Sequence, residues 1–140
     1  VELEIAYPAM SVTLLIEDDI DFSRGDMILR ENIQAHVTQD LENMVCWCNE
    51  KALQLRGKYT VLHTTKEVRC IVKEIRYKLN INTLHRNEVD NNIGMNDIAR
   101  IKIRTTHPLF IDPYRKNCIT GAVIFVDEGT NETVGAGMII

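Results

Sequence analysis

Cysteine gives this chain its most reactive side chains, and there are four of them: Cys46, Cys48, Cys70 and Cys118. Thiols pair as disulfides or ligate soft metals, and each chemistry demands a particular spacing. Cys46 and Cys48 are two residues apart in an apolar stretch. On a strand they would share a face with Cα atoms about 6.5–7 Å apart, at or beyond the usual disulfide range. Zinc sites favour pairs such as C-x2-C. The arrangement therefore predicts four reduced thiols, no metal and a cytoplasmic protein. His36, His63, His85 and His107 are dispersed and form no ligand spacing. The run Glu17-Asp18-Asp19-Ile20-Asp21 could surround a cation, but a solvated acidic loop is the simpler expectation.

Other reactive patterns are missing. There is no G-x-x-x-x-G-K-[ST] phosphate loop, no G-x-G-x-x-G, no G-x-S-x-G elbow, no H-E-x-x-H and no EF-hand loop. Gly135-Ala136-Gly137 is a glycine pair with no helix expected after it, and it reads as a strand that another backbone approaches closely. Asn131-Glu132-Thr133 matches a glycosylation sequon, but in a chain with no secretion signal it reads as part of a turn. No catalytic, cofactor-binding or metal-binding residue is expected, and the chain should bind neither GTP nor ATP. One pattern points to interaction. Across residues 98–105, Ala99, Ile101, Ile103 and Thr105 alternate with Arg100, Lys102 and Arg104. If the first set faces a core, the second forms an outward row of positive charges spaced about 7 Å apart. Arg100, Lys102 and Arg104 are thus a candidate surface for docking an acidic partner; the competing reading is a solvated face kept soluble by charge.

The elements that would position that row are strands. Val, Ile and Thr are abundant, and β-branched side chains favour a pleated surface. Strands are expected at 11–17, 33–38, 43–48, 58–64, 67–79, 98–105, 120–126 and 133–139. A tight turn at Thr65-Lys66 and a hairpin loop at 127–132 connect them, with a polar excursion over 80–95 and a proline-bearing loop over 107–117. Val68, Cys70 and Val72 alternate on one parity, whereas Ile75, Tyr77 and Leu79 continue on the other. A period of two cannot change parity without an extra residue, so a β-bulge is expected near Lys73–Glu74. No segment sustains helical periodicity, and short strands with regular turns imply an antiparallel barrel or sandwich.

Charge divides the chain. Residues 1–31 hold eight acids and two bases, whereas residues 32–140 hold twelve acids and fourteen bases. The asymmetry suggests two units meeting near residues 30–33. The net charge of −4 speaks against general nucleic-acid binding, which needs a basic surface. No apolar run reaches the roughly 18 residues of a membrane span. No signal peptide opens the acidic Val1-Glu2-Leu3-Glu4 start, and the lack of an initial Met suggests an excised fragment.

The run from Leu15 to Asp26, L-I-E-D-D-I-D-F-S-R-G-D, resembles the end of the second domain in the large, GTP-binding subunit family of bacterial sulfate adenylyltransferase, where the pattern is L-E-D-E-I-D-I-S-R-G-D. Three later stretches agree: His63-Thr64-Thr65 with Val68-Arg69 and Ile75-Arg76-Tyr77; Asp112-Pro113-Tyr114 with Thr120-Gly121-Ala122; and the closing run Thr133 to Ile139, T-V-G-A-G-M-I. Elongation factor Tu is similar more distantly. The resemblance implies an all-β fold: an antiparallel six-stranded barrel of the elongation-factor-Tu domain III type over residues 31–140, with residues 1–30 as a β appendage, the tail of a second barrel. It implies a parent that couples GTP hydrolysis to formation of adenosine 5′-phosphosulfate from ATP and sulfate. GTP and magnesium would sit in a preceding GTPase domain, and a small catalytic subunit would be the partner. Two alternatives remain open: a translation-factor barrel that binds tRNA or a protein, and an independent small-molecule-binding barrel.

Overall fold

The computed structural model describes residues 3–140; Val1 and Glu2, which begin the acidic stretch, lie outside it. Seven strands follow in chain order: β1 (His36–Trp47), β2 (Lys58–His63), β3 (Lys66–Leu79), β4 (Arg86–Asn87), β5 (Ile98–Ile111), β6 (Ala122–Asp127) and β7 (Thr133–Ile139). All pairings are antiparallel, in the order β2-β6-β7-β1-β5-β3-β4. The further pairing of β2 with β3 closes six strands into a barrel and leaves β4 riding on the end of β3. Closure satisfies backbone groups that an open sheet would leave unpaired.

Inward side chains fill the bore. Leu41, Val45 and Trp47 from β1, Val61 from β2, Val72 from β3, Ile101 and Ile103 from β5, and Val123 and Phe125 from β6 are all buried. Trp47 meets Tyr59 edge to face at 5.4 Å, and its indole N–H donates to the Lys51 carbonyl at 2.7 Å. The inward side chains therefore pack as a core. A Cβ on Gly137 would lie 2.9 Å from Val123 Cγ2, and one on Gly135 3.0 Å from the Cys46 carbonyl oxygen. The two glycines let β7 press against its neighbours, as the strand reading of this pair requires.

Four expectations need correction. Residues 11–17 are not a strand; no strand occurs among residues 3–35, so the N-terminal appendage is not itself β structure. With no neighbouring strand to pair with, apolar alternation there has nothing to pack on. The two strands expected at 33–38 and 43–48 are a single β1, which crosses the intervening polar residues with an irregularity between Thr38 and Asp40. β5 continues to Ile111 through Pro108, where the sequence alone predicts a proline-bearing loop. Pro108 falls within that same irregularity, where the ladder needs no N–H from it. The bulge in β3 lies between Val72 and Glu74, where parity predicted it, but a second shift between Ile75 and Tyr77 sets Tyr77 opposite Arg100. Ile75 packs against the core, whereas Tyr77 turns to the outer face and is covered by the Arg86 guanidinium, 5.0 Å from its ring.

Candidate docking surface

β5 presents the predicted alternation. Ala99, Ile101, Ile103 and Thr105 are buried, and Arg100, Lys102 and Arg104 point outward. The register of the flanking strands decides what surrounds them. β1 sets Asp40 opposite Arg104 and Glu42 opposite Lys102, and β3 sets Glu74 opposite Lys102 from the other side. The row is consequently a ladder of ion pairs. Arg100 Nε–H donates to Glu42 Oε1 at 2.8 Å, and Arg76 Nε approaches the same oxygen at 3.3 Å. Arg104 Nη1–H donates to Asp40 Oδ2 at 3.1 Å. Lys102 Nζ lies 4.0 Å from Glu74 Oε2, and Arg76 Nε lies 3.7 Å from Glu74 Oε1.

Electrostatics follow from this packing. Partial burial pushes the Glu42 carboxyl up, but the hydrogen bond and charge of Arg100, with the charges of Arg76 and Lys102, outweigh it and hold Glu42 below its ordinary value. Bonding to Glu42, and then to Tyr77, raises Arg100. A groove of about 460 Å³ lies over this centre, lined by Glu42, Glu74, Arg76, Tyr77, Arg86 and Arg100 among others. The face can meet a partner by exchanging ion pairs, and it offers little bare positive charge. Sequence reading missed Asp40 and Glu42 because splitting β1 left both outside any strand, and missed Glu74 because its place opposite Lys102 is set only by the β3–β5 register. Acids at alternating positions of one continuous strand were the signal.

The remaining candidates are placed as follows. Glu17, Asp18, Asp19 and Asp21 are exposed. His63 is buried, and its Nε2–H donates to the Thr120 carbonyl at 2.8 Å. Cys46, Cys48 and Cys118 are exposed free thiols, and Cys70 is buried; burial pushes Cys70 up to about 12. Among the described residues no three His, Cys, Asp or Glu side chains converge as metal ligands. Among the described residues there is no helix whose N-terminus could cradle phosphate, and the glycine pair lies in β7.

A closed six-strand antiparallel barrel with a filled bore defines an all-β domain of the elongation-factor-Tu domain III type. Residues 40–140 match the family model described as GTP-eEF1A C-terminal domain-like, and the chain belongs to that family. It is 42% identical over 136 residues to the bifunctional enzyme CysN/CysC of Mycobacterium tuberculosis, covering 96% of this chain and 22% of that protein. It is 40% identical over 137 residues to sulfate adenylyltransferase subunit 1 of Sulfurovum sp., covering 98% of this chain and 28% of the relative. The chain thus spans less than a third of the length of these relatives. A crystal structure of sup35 complexed with GDP superposes with a TM-score of 0.69 at 14% identity, covering 79% of this chain and 27% of that one, which establishes the shared fold. The resemblance read from the L-I-E-D-D-I-D-F-S-R-G-D run and the three later stretches stands.

Proposed function

We propose that this chain is the non-catalytic C-terminal barrel of a sulfate adenylyltransferase large subunit, whose parent couples GTP hydrolysis to formation of adenosine 5′-phosphosulfate from ATP and sulfate. The observation that carries this reading is 42% identity sustained over 96% of the chain. On this reading residues 1–30 are the tail of a second barrel and residues 31–140 are the third. Closure of the barrel without residues 3–35 supports the division. GTP and magnesium are held by a preceding domain, the small catalytic subunit is the partner, and the assembly is cytoplasmic. No helix among the described residues is long and apolar enough to cross a membrane. The Arg100, Lys102 and Arg104 row belongs to the docking role in altered form, as paired charges that a partner's acids would have to displace.

The test has two parts. Calorimetry on the 140-residue chain should detect no GTP or ATP binding; micromolar affinity for either refutes the non-catalytic assignment. In the longer parent protein, deleting residues 31–140 should abolish GTP stimulation of ATP- and sulfate-dependent pyrophosphate release. GTP-dependent tRNA binding by the parent, without that release, would instead identify a translation factor. Reversing Arg100, Lys102 and Arg104 to Glu in the parent should slow association with the small subunit and flatten its salt dependence. Unchanged assembly makes the row a solvated face.

A further inference from the structure

The N-terminal segment changes its surroundings at one point. Residues 3–24 are all exposed, whereas Gly25 and Met27 are half-buried. Ser23, Arg24, Gly25 and Asp26 form a tight turn at this boundary. The Asp26 N–H donates to the Ser23 carbonyl at 3.1 Å, the Ser23 N–H donates to Asp26 Oδ2 at 2.8 Å, and Gly25 takes a φ of 98°.

That turn rests on another, the connection between β2 and β3. Arg24 Nε–H donates to the Thr65 carbonyl at 3.1 Å. A Cβ on Gly25 would lie 3.3 Å from Lys66 Cγ, so the glycine backbone lies directly on the Lys66 stem. Lys66 is braced from behind, with its ammonium donating to the Pro108 carbonyl at 3.0 Å and lying 5.9 Å from the centre of the Phe110 ring. The receiving turn holds Thr64 at a φ of 52°, a backbone region that β-branched residues rarely adopt. Beyond the contact, residues Met27, Ile28 and Leu29 line a cavity of about 400 Å³ together with Phe110 and Ile111 of β5. The segment therefore joins the barrel at Arg24–Gly25 and follows its end towards β1.

We infer that the β2–β3 turn is a docking seat whose occupant is the Ser23–Asp26 turn, with Arg24 as the positioning residue that fixes where the N-terminal segment leaves the barrel. The seat recognises a tight turn presenting one guanidinium and one glycine: the guanidinium finds a carbonyl, and the glycine gives the lysine stem room. Nothing in this depends on what the preceding segment belongs to, so it stands or falls apart from the sulfate adenylyltransferase reading.

The experiment uses the 140-residue chain, with amide hydrogen exchange and backbone NMR relaxation on wild type, Arg24→Ala, Arg24→Lys and Gly25→Val. In wild type the amides of residues 23–27 should show order parameters close to those of the barrel, about 0.85. Arg24→Ala should speed exchange at the Asp26 amide about tenfold, the loss of one charge-assisted hydrogen bond, and lower the order parameters of residues 23–27 below about 0.6. Gly25→Val should do the same through the lysine clash. Arg24→Lys should restore part of the protection, because an ammonium can also reach the carbonyl. Barrel amides should stay protected in all four chains, which separates release of the seat from unfolding. Two results overturn the proposal: residues 23–27 already disordered in wild type, or Arg24→Ala and Gly25→Val both leaving Asp26 exchange unchanged.

Discussion

Leu15 and Leu41 are the same side chain in two different situations. Leu15 is 89% exposed, in a stretch with no strand, whereas Leu41 is 2% exposed, on a β1 that pairs with β5 along most of its length and with β7 from Asn43 to Trp47. Both regions mix apolar and polar residues and contain β-branched types. The difference is the number of neighbouring strands. A lone extended segment cannot cover one face with another, whereas six strands in a ring bury every inward position. Apolar pattern is therefore necessary for a core in this molecule, and closure is what makes it sufficient.

The sharpest way to break that comparison is a matched pair of deletions. Phe125→Ala, in the filled bore, should lower unfolding free energy by about 3–5 kcal/mol. Phe22→Ala, on an exposed ring, should change it by less than about 0.5 kcal/mol. Urea denaturation followed by Trp47 fluorescence measures both, and equal losses would mean that the N-terminal segment shares the barrel's core. A smaller loss is expected at Gly121, where a Cβ would come within 2.4 Å of the Tyr114 Cα. Gly121→Ala should cost about 1–3 kcal/mol, and Gly129→Ala in the exposed hairpin loop much less.

Asn43 should act in the opposite direction. It is fully buried among apolar neighbours, and neither its amide nitrogen nor its carbonyl oxygen has a protein hydrogen-bond partner. Replacing a buried polar group that has no partner removes its desolvation penalty, so Asn43→Leu should raise stability by about 1 kcal/mol in the same denaturation assay. A destabilised variant would show that the amide is satisfied in solution. The smallest effect concerns pH. Glu42 titrates below its ordinary value in the folded chain, so its contribution is present above the unfolded-state value, about 4.3, and is lost as pH falls through the folded value. Wild type should be more stable than Glu42→Gln near neutrality, with the gap narrowing below about pH 4.

Much of the barrel was legible because its strands alternate cleanly. β2, the first half of β5 and the β6–β7 hairpin fall where period and turn residues place them, and the parity change in β3 locates its first bulge. What escaped has a common cause. β1 carries its polar residues outward to meet the basic row of β5, so its middle reads as loop until the partner strand is in place. Pro108 reads as a breaker unless the ladder irregularity beside it is known. The second shift in β3 depends on Tyr77 finding Arg86 and Arg100, contacts between residues far apart in the chain. The ionic row was found from one strand alone; its acids belong to the strands on either side, Asp40 and Glu42 on β1 and Glu74 on β3, and their register against the row is set only when the strands pair.

The ring closure described above also has an order in time. β1 precedes the other strands of the barrel in the chain, yet its partners are β5 and β7, the latter ending at Ile139. During synthesis His36–Trp47 must wait, unpaired, while the β2–β3 hairpin forms locally, and it gains its second neighbour only when β7 appears. Pairings of such long sequence separation fold slowly, and an apolar strand kept waiting is exposed to association with other chains. A ribosome stalled before residue 133 would leave β1 and β6 each with an open edge, so the ring cannot close until β7 has been added.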